Sequence, residues 1–131
     1  MSRPQEWLGL GVDVLEIHRM RSLFARHGKR FLRIFSPHEI RWARRHKRLS
    51  LRLASLFAVK EAVFKSLGIN PVFFMRWRDI ELSPEKYAFK VRLKNTLKHL
   101  LKFPTEKITA ICEESGGYVL AVAVRKRCAG F

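Results

Sequence analysis

Residues 51–67 constrain this chain more than any other stretch. Over that span Leu53, Ala54, Leu56, Phe57, Ala58, Val59, Ala62, Val63, Phe64 and Leu67 recur at about 100° per residue and cover nearly every direction of a helix. A helix apolar on all sides must be buried, so the rest of the chain has to wrap around it. Three charges, Lys60, Glu61 and Lys65, interrupt that surface and need partners, because an unpaired buried charge costs several kcal/mol or more. One reading pairs Glu61 with Lys65 at i,i+4 along one rim of the helix. The other has Glu61 bind a hard cation such as Mg²⁺ while the lysines face phosphates. Such a site usually takes one or two carboxylates, and Asp13 is the candidate for the second. Asp13 also has a purely structural reading, since Asp13-x-x-Glu16 fits a helix capping box.

The remaining pattern predicts what surrounds that helix. "WLGLGV" (7–12) reads as a short buried strand, its glycines permitting close backbone approach. The chain is expected to turn at Asp13 and enter a helix over 15–27, ending at Gly28. "SPHE" (36–39) starts a basic helix running to about His46, with Ser36 as cap, Pro37 in the first turn and Glu39 completing a capping box. The central helix is expected over 49–67, with Gly68 as its stop. Strands follow at 76–83 and 87–93, a helix at 94–102, and a hairpin of 107–114 with 118–126 across "SGG". This is an α+β pattern: a small antiparallel sheet against a long buried helix, in one domain over 1–131. Phe73, Phe74 and Met75 form an apolar run that suits a subunit interface.

Twenty-seven Lys and Arg face eleven Asp and Glu, a formal net charge of +16 that predicts an anionic partner. The cations are spread along the chain, which favours a charged folded surface over a basic tail. Cys112 and Cys128 have no metal-ligand spacing, and no apolar run approaches the roughly 18 residues needed to span a bilayer. No membrane role is expected, and with no targeting signal in view the cytoplasm is the expected compartment. No nucleic-acid-binding motif is present.

"GLGVDVLEIHR" (9–19) followed by "FAVKEAVFKSLG" (57–68) resembles the holo-acyl-carrier-protein synthases, small single-domain 4′-phosphopantetheinyl transferases. "RIFSPHE" (33–39), "WRDIEL" (77–82) and "GGYVLAVAV" (116–124) extend the resemblance over nearly the whole chain. It implies the 4′-phosphopantetheinyl transferase fold and transfer of 4′-phosphopantetheine from coenzyme A to a serine of apo-acyl carrier protein, releasing 3′,5′-ADP. It implies Mg²⁺ on Asp13 and Glu61, with Lys65 near the transferred phosphate as the third catalytic residue. Lys60, Lys65 and Gly68 are expected at coenzyme A, Arg19 and Arg26 at acidic carrier protein, and a homotrimer with interfacial active sites. For Arg26 an ordinary solvated basic face is the other reading.

The sequence departs from the family at the nucleotide end. Leu56 fills the place of an arginine that usually helps hold the 3′-phosphate, and Arg52 and Arg48, one and two turns earlier, are its expected replacements. "SPEKYAF" (83–89) stands where many members carry a "GKP" turn, "CEES" (112–115) where some carry a histidine, and "GIN" (68–70) where "GTG" is usual. These departures leave open a catalytically diverged binding module of the same fold, using its basic surface for an acidic protein or RNA.

Overall fold

The computed structural model describes residues 5–69, 76–100 and 106–128. Strand β1 (Gln5–Glu16) leads into helices α1 (Ile17–His27), α2 (Lys29–Leu32), α3 (Pro37–Arg44) and the long α4 (Leu49–Ser66). A 3₁₀ turn at Trp77–Asp79 precedes β2 (Ile80–Pro84) and β3 (Phe89–Leu93). A second 3₁₀ segment, Asn95–Leu100, precedes β4 (Glu106–Ser115) and β5 (Tyr118–Cys128). The five strands form one antiparallel sheet in the order β1-β5-β4-β3-β2. The α+β architecture is the expected one.

Helix α4 lies across β1, β5 and β4. Its Leu53, Leu56, Val59 and Val63 interlock with Val119, Ala121 and Ala123 of β5, Ala110 of β4 and Leu82 of β2 in one buried core. Small residues on β5 let the helix settle close to the sheet, and two glycines on β1 bring it closer still. A Cβ on Gly11 would stand 1.8 Å from the carbonyl oxygen of Ala62, and one on Gly9 would stand 2.0 Å from that of Ser66. Only glycine fits where strand and helix backbones meet like this. The β4–β5 hairpin turns on Gly116 and Gly117, both at positive φ (58° and 84°), as a two-residue turn of this type requires.

The "SPHE" start is observed. Ser36 Oγ accepts from Glu39 N at 3.1 Å, and Glu39 Oε1 accepts from Ser36 N at 2.8 Å.

Several boundaries differ from expectation. β1 runs on to Glu16, so Asp13 lies inside a strand rather than at a turn, and α1 begins at Ile17. The Asp13–Glu16 capping box does not form: the N-cap is Glu16, and it makes no side-chain cap hydrogen bond. The strand was underestimated because its alternation is inverted, with apolar Leu10, Val12 and Val14 exposed and polar Asp13 on the covered face, so Asp13 reads as a turn. Trp77–Asp79 is 3₁₀ rather than strand, the described part of the helix expected at 94–102 is 3₁₀ over Asn95–Leu100, α3 stops at Arg44, and α2 was not expected. Phe73–Phe74–Met75 lies outside the described residues.

Candidate active site

Residues 9, 11 and 13 share the face of β1 that meets α4, because side chains alternate along a strand. The contacts at Gly9 and Gly11 therefore deliver Asp13 to the same helix. Asp13 Oδ1 accepts from Lys65 Nζ at 3.0 Å, and the same ammonium donates to the carbonyl of Val12 at 3.1 Å. The Asp13 side chain is 14% exposed and that of Lys65 is 49% exposed, so the pair sits at the rim of the helix–sheet seam.

Glu61, one turn before Lys65 on α4, belongs to the same cluster. Partial burial pushes its carboxyl above the ordinary glutamate range, and the negative charge of Asp13 pushes it further. Lys65 and Arg19 oppose that rise. Two carboxylates and two cations thus share one field. The ion pair observed for Lys65 is with Asp13 on the strand, a partner that neither sequence reading gave it.

The chemistry of this donor set suits a hard divalent cation. Both candidate ligands are carboxylates, and their mutual repulsion favours a shared counter-charge. Among the described residues no cluster of three or more His, Cys, Asp or Glu exists. A cation on Asp13 and Glu61 would therefore keep positions for water or substrate oxygens, the usual habit of Mg²⁺.

Lys60 corrects the sequence reading. It does not face this cluster but lies buried in the core, away from the surface where a coenzyme A contact was expected. Its side chain and that of Glu39 are both 0% exposed, with Nζ 2.9 Å from Glu39 Oε1. The ammonium also donates to the carbonyls of Trp77, at 3.0 Å, and Ile80. Burial pulls the Lys60 pKa down, and the Glu39 charge opposes that pull. Glu39 closes the capping box, accepts from Leu82 N at 2.7 Å and holds Lys60, so it ties α3, α4 and β2 together. The sequence marked Glu39 as a cap but carried no sign of its partner 21 residues on.

The expected replacements for the arginine at position 56 are both engaged within the chain. Leu56 itself is fully buried. Arg52 donates to the carbonyl of Trp42 and stacks its guanidinium 4.1 Å above that ring, which commits it to α3. Arg48 pairs with Glu114 on β4 through two contacts, at 3.0 and 2.7 Å. Glu114 was not anticipated, since sequence carries no signal for an ion pair 66 residues apart. Gly68 is exposed at φ +65°, donating to the carbonyl of Lys65 just past α4. Arg19 and Arg26 are both exposed on α1, and only Arg19 enters the field at Glu61.

The model of the 4′-phosphopantetheinyl transferase superfamily matches residues 9–123. Holo-[acyl-carrier-protein] synthase of Moorella thermoacetica is 34% identical over 119 residues, covering 89% of this chain and 92% of the relative. The Chlamydia trachomatis enzyme of the same name is 31% identical over 117 residues, covering 88% and 97%. Among solved structures, Helicobacter pylori holo-[acyl-carrier-protein] synthase in complex with coenzyme A is 28% identical with a TM-score of 0.75, covering 88% of this chain and 98% of that one. The coenzyme A complex of the Chronobacterium ammoniagenes protein is 25% identical with a TM-score of 0.78, covering 97% and 99%.

Proposed function

This chain belongs to the 4′-phosphopantetheinyl transferase superfamily, and from that premise we propose that it is a holo-acyl-carrier-protein synthase whose Asp13 and Glu61 hold Mg²⁺. The carrier serine oxygen bonds to the phosphorus that bears pantetheine. The bond from that phosphorus to the bridging oxygen breaks, 3′,5′-ADP leaves, and the serine proton passes to solvent. The observation that carries the reading is the contact of Asp13 with Lys65 at 3.0 Å, which sets Asp13 against the turn of α4 that also bears Glu61.

Phosphoryl transfer asks a protein for positioning and charge neutralisation more than for covalent chemistry. Bound Mg²⁺ supplies Lewis-acid polarisation of the pyrophosphate. Asp13 and Glu61 fix the position of that charge. Lys65, on a flexible stem at the rim, offsets charge on the bridging oxygen. Arg19, exposed beside the cluster, is suited to the acidic carrier protein, with Arg26 two turns further along the same helix. Ionic steering by the net charge of +16 serves both anionic substrates and weakens as salt rises.

The same reading includes a homotrimer, one domain per subunit, with active sites between subunits. The outer sheet face supports it: Leu10, Val12, Val14, Ile111 and Leu120 are exposed apolar side chains gathered on one face of β1, β4 and β5, the kind of patch that marks an interaction surface. Among the described residues no helix is long and apolar enough to cross a membrane, and the reading has the protein act in the cytoplasm.

A second reading, a diverged binding module, draws on the nucleotide end, where Arg48 and Arg52 are engaged within the chain and position 56 is a buried leucine. Labelled coenzyme A and apo-carrier protein, with and without Mg²⁺, separate the two. Transfer that needs Mg²⁺ and is lost in Asp13→Ala and Glu61→Ala supports the enzyme. Folded protein that transfers nothing and is indifferent to Mg²⁺ supports the module.

A further inference from the structure

We infer that Lys65 is a resident counter-ion of Asp13 which an arriving divalent cation displaces, and that this displacement releases the ammonium toward the substrate phosphate. The inference rests on the metal reading above and adds an order of events to it. The Lys65 ammonium is bonded to Asp13 Oδ1, an oxygen of the very carboxylate that the metal needs. Its second bond, to the carbonyl of Val12, holds it in the plane of β1 beside that carboxylate. An ammonium has three donors, and these two contacts leave one free.

The contact is built to be exchanged. Lys65 is half exposed on a four-carbon stem, while Asp13 is nearly covered and fixed in a strand. Of the two partners only the lysine has room to move. Before metal arrives, the Lys65 ammonium is held by Asp13 Oδ1 and the Val12 carbonyl, so its charge is turned to the strand and not to an incoming phosphate. A dication bound at Asp13 repels an ammonium at contact distance by about 2 kcal/mol even in water, which favours the departure of the lysine. Once displaced, the ammonium remains tethered one turn from Glu61, and the cluster gains net positive charge. Pyrophosphate is then favoured only at a loaded site.

The test follows the Lys65 ammonium by ¹⁵Nζ NMR in the full-length protein, assigned by its absence in Lys65→Met, during titration with MgCl₂. Mn²⁺ affinity is read in parallel from water-proton relaxation. Mg²⁺ is expected to move the Lys65 resonance to the position it already holds in metal-free Asp13→Asn. Lys65→Met, or Lys65→Gln should the first variant melt early, is expected to bind Mn²⁺ about tenfold more tightly. Arg19→Met, which is not bonded to Asp13, is expected to gain less. If Mn²⁺ binds and Asp13→Asn abolishes that binding, but the Lys65 resonance stays still, the displacement is refuted and the metal reading survives. If Asp13→Asn binds Mn²⁺ as well as wild type, the metal reading fails and this inference falls with it.

Discussion

Replacing Lys60 by methionine tests the buried ion pair. Methionine fills much of the same volume but leaves the Glu39 carboxylate with its two backbone donors, Ser36 N and Leu82 N, and no counter-charge at 0% exposure. The carbonyls of Trp77 and Ile80 lose their ammonium as well. Removing one partner of such a pair costs about 3–5 kcal/mol. For 131 residues the unfolding entropy is about 0.28 kcal/mol/K, so ~4 kcal/mol lowers Tm by about 14 °C. Glu39→Gln is expected to cost less, because its lysine can shed a proton. The folded pKa of Lys60 lies below the unfolded value, so the unfolded chain holds more protons between the two, and stability rises with pH across that window. Losing Glu39, which raises that pKa, widens the window downward. The double variant removes both charges, and its loss should fall short of the summed single losses by about 2 kcal/mol or more. Urea unfolding at one fixed protein concentration gives all four corners of the cycle. A Lys60→Met loss under about 1 kcal/mol, or a strictly additive double variant, would refute the reasoning. In the folded fraction, KM for coenzyme A should not change, since the Lys60 side chain is sealed in the core.

Ionised Glu61 costs the metal-free fold stability, because its folded pKa is raised; the cost is absent when both states are protonated and appears as pH rises through and above the ordinary glutamate range. Glu61→Gln should therefore raise Tm near neutral pH in the presence of EDTA, with the gain vanishing on acidification; no gain at neutral pH contradicts this. Gly11→Ala should cost about 3 kcal/mol in urea unfolding, since the new methyl would meet the backbone oxygen of Ala62 at 1.8 Å and the whole helix must yield. Gly68→Ala, with open space around it and only a positive φ to strain, should cost about 1 kcal/mol; equal losses would mean the close approach is not tight. Val12→Asp or Leu120→Lys on the outer sheet face should give monomers by analytical ultracentrifugation and lose transfer activity, whereas a wild-type mass would exclude that face as the subunit contact.

The buried helix was legible because apolar residues surround it, and the capping box because its partners lie three residues apart. What escaped notice was non-local. Lys60 and Lys65 looked alike as charges in an apolar helix. Yet at about 100° per residue Lys65 lies only about 40° from Glu61, while Lys60 lies about 100° away on the other side. That wheel separates the lysine of the rim from the lysine of the core, and it was readable from sequence. The identity of the core partner was not, because Glu39 reaches Lys60 only after α3 folds back on α4. The engagement of Arg48 by Glu114 and of Arg52 by Trp42 was invisible for the same reason. The length of β1 does not show because the strand carries its apolar Val12 and Val14 outward and its polar Asp13 inward, the reverse of the usual pattern.

The glycines and the aspartate of "GLGVD" act as one mechanical unit. Gly9 and Gly11 set the depth and the register of α4 on β1, and Asp13, the next residue on that face, inherits both. A side chain at either glycine would lift the helix by more than an ångström, and Glu61 and Lys65 would leave Asp13 by about as much. Charge then works within that fixed frame. The same short segment of α4 sends one lysine inward, where Glu39 and two carbonyls lock the helix rotation, and another outward, where it meets the strand carboxylate. The inner pair is sealed and therefore static, while the outer pair is half open and therefore exchangeable. Burial alone separates a structural lysine from one free to take part in chemistry, five residues apart on one helix.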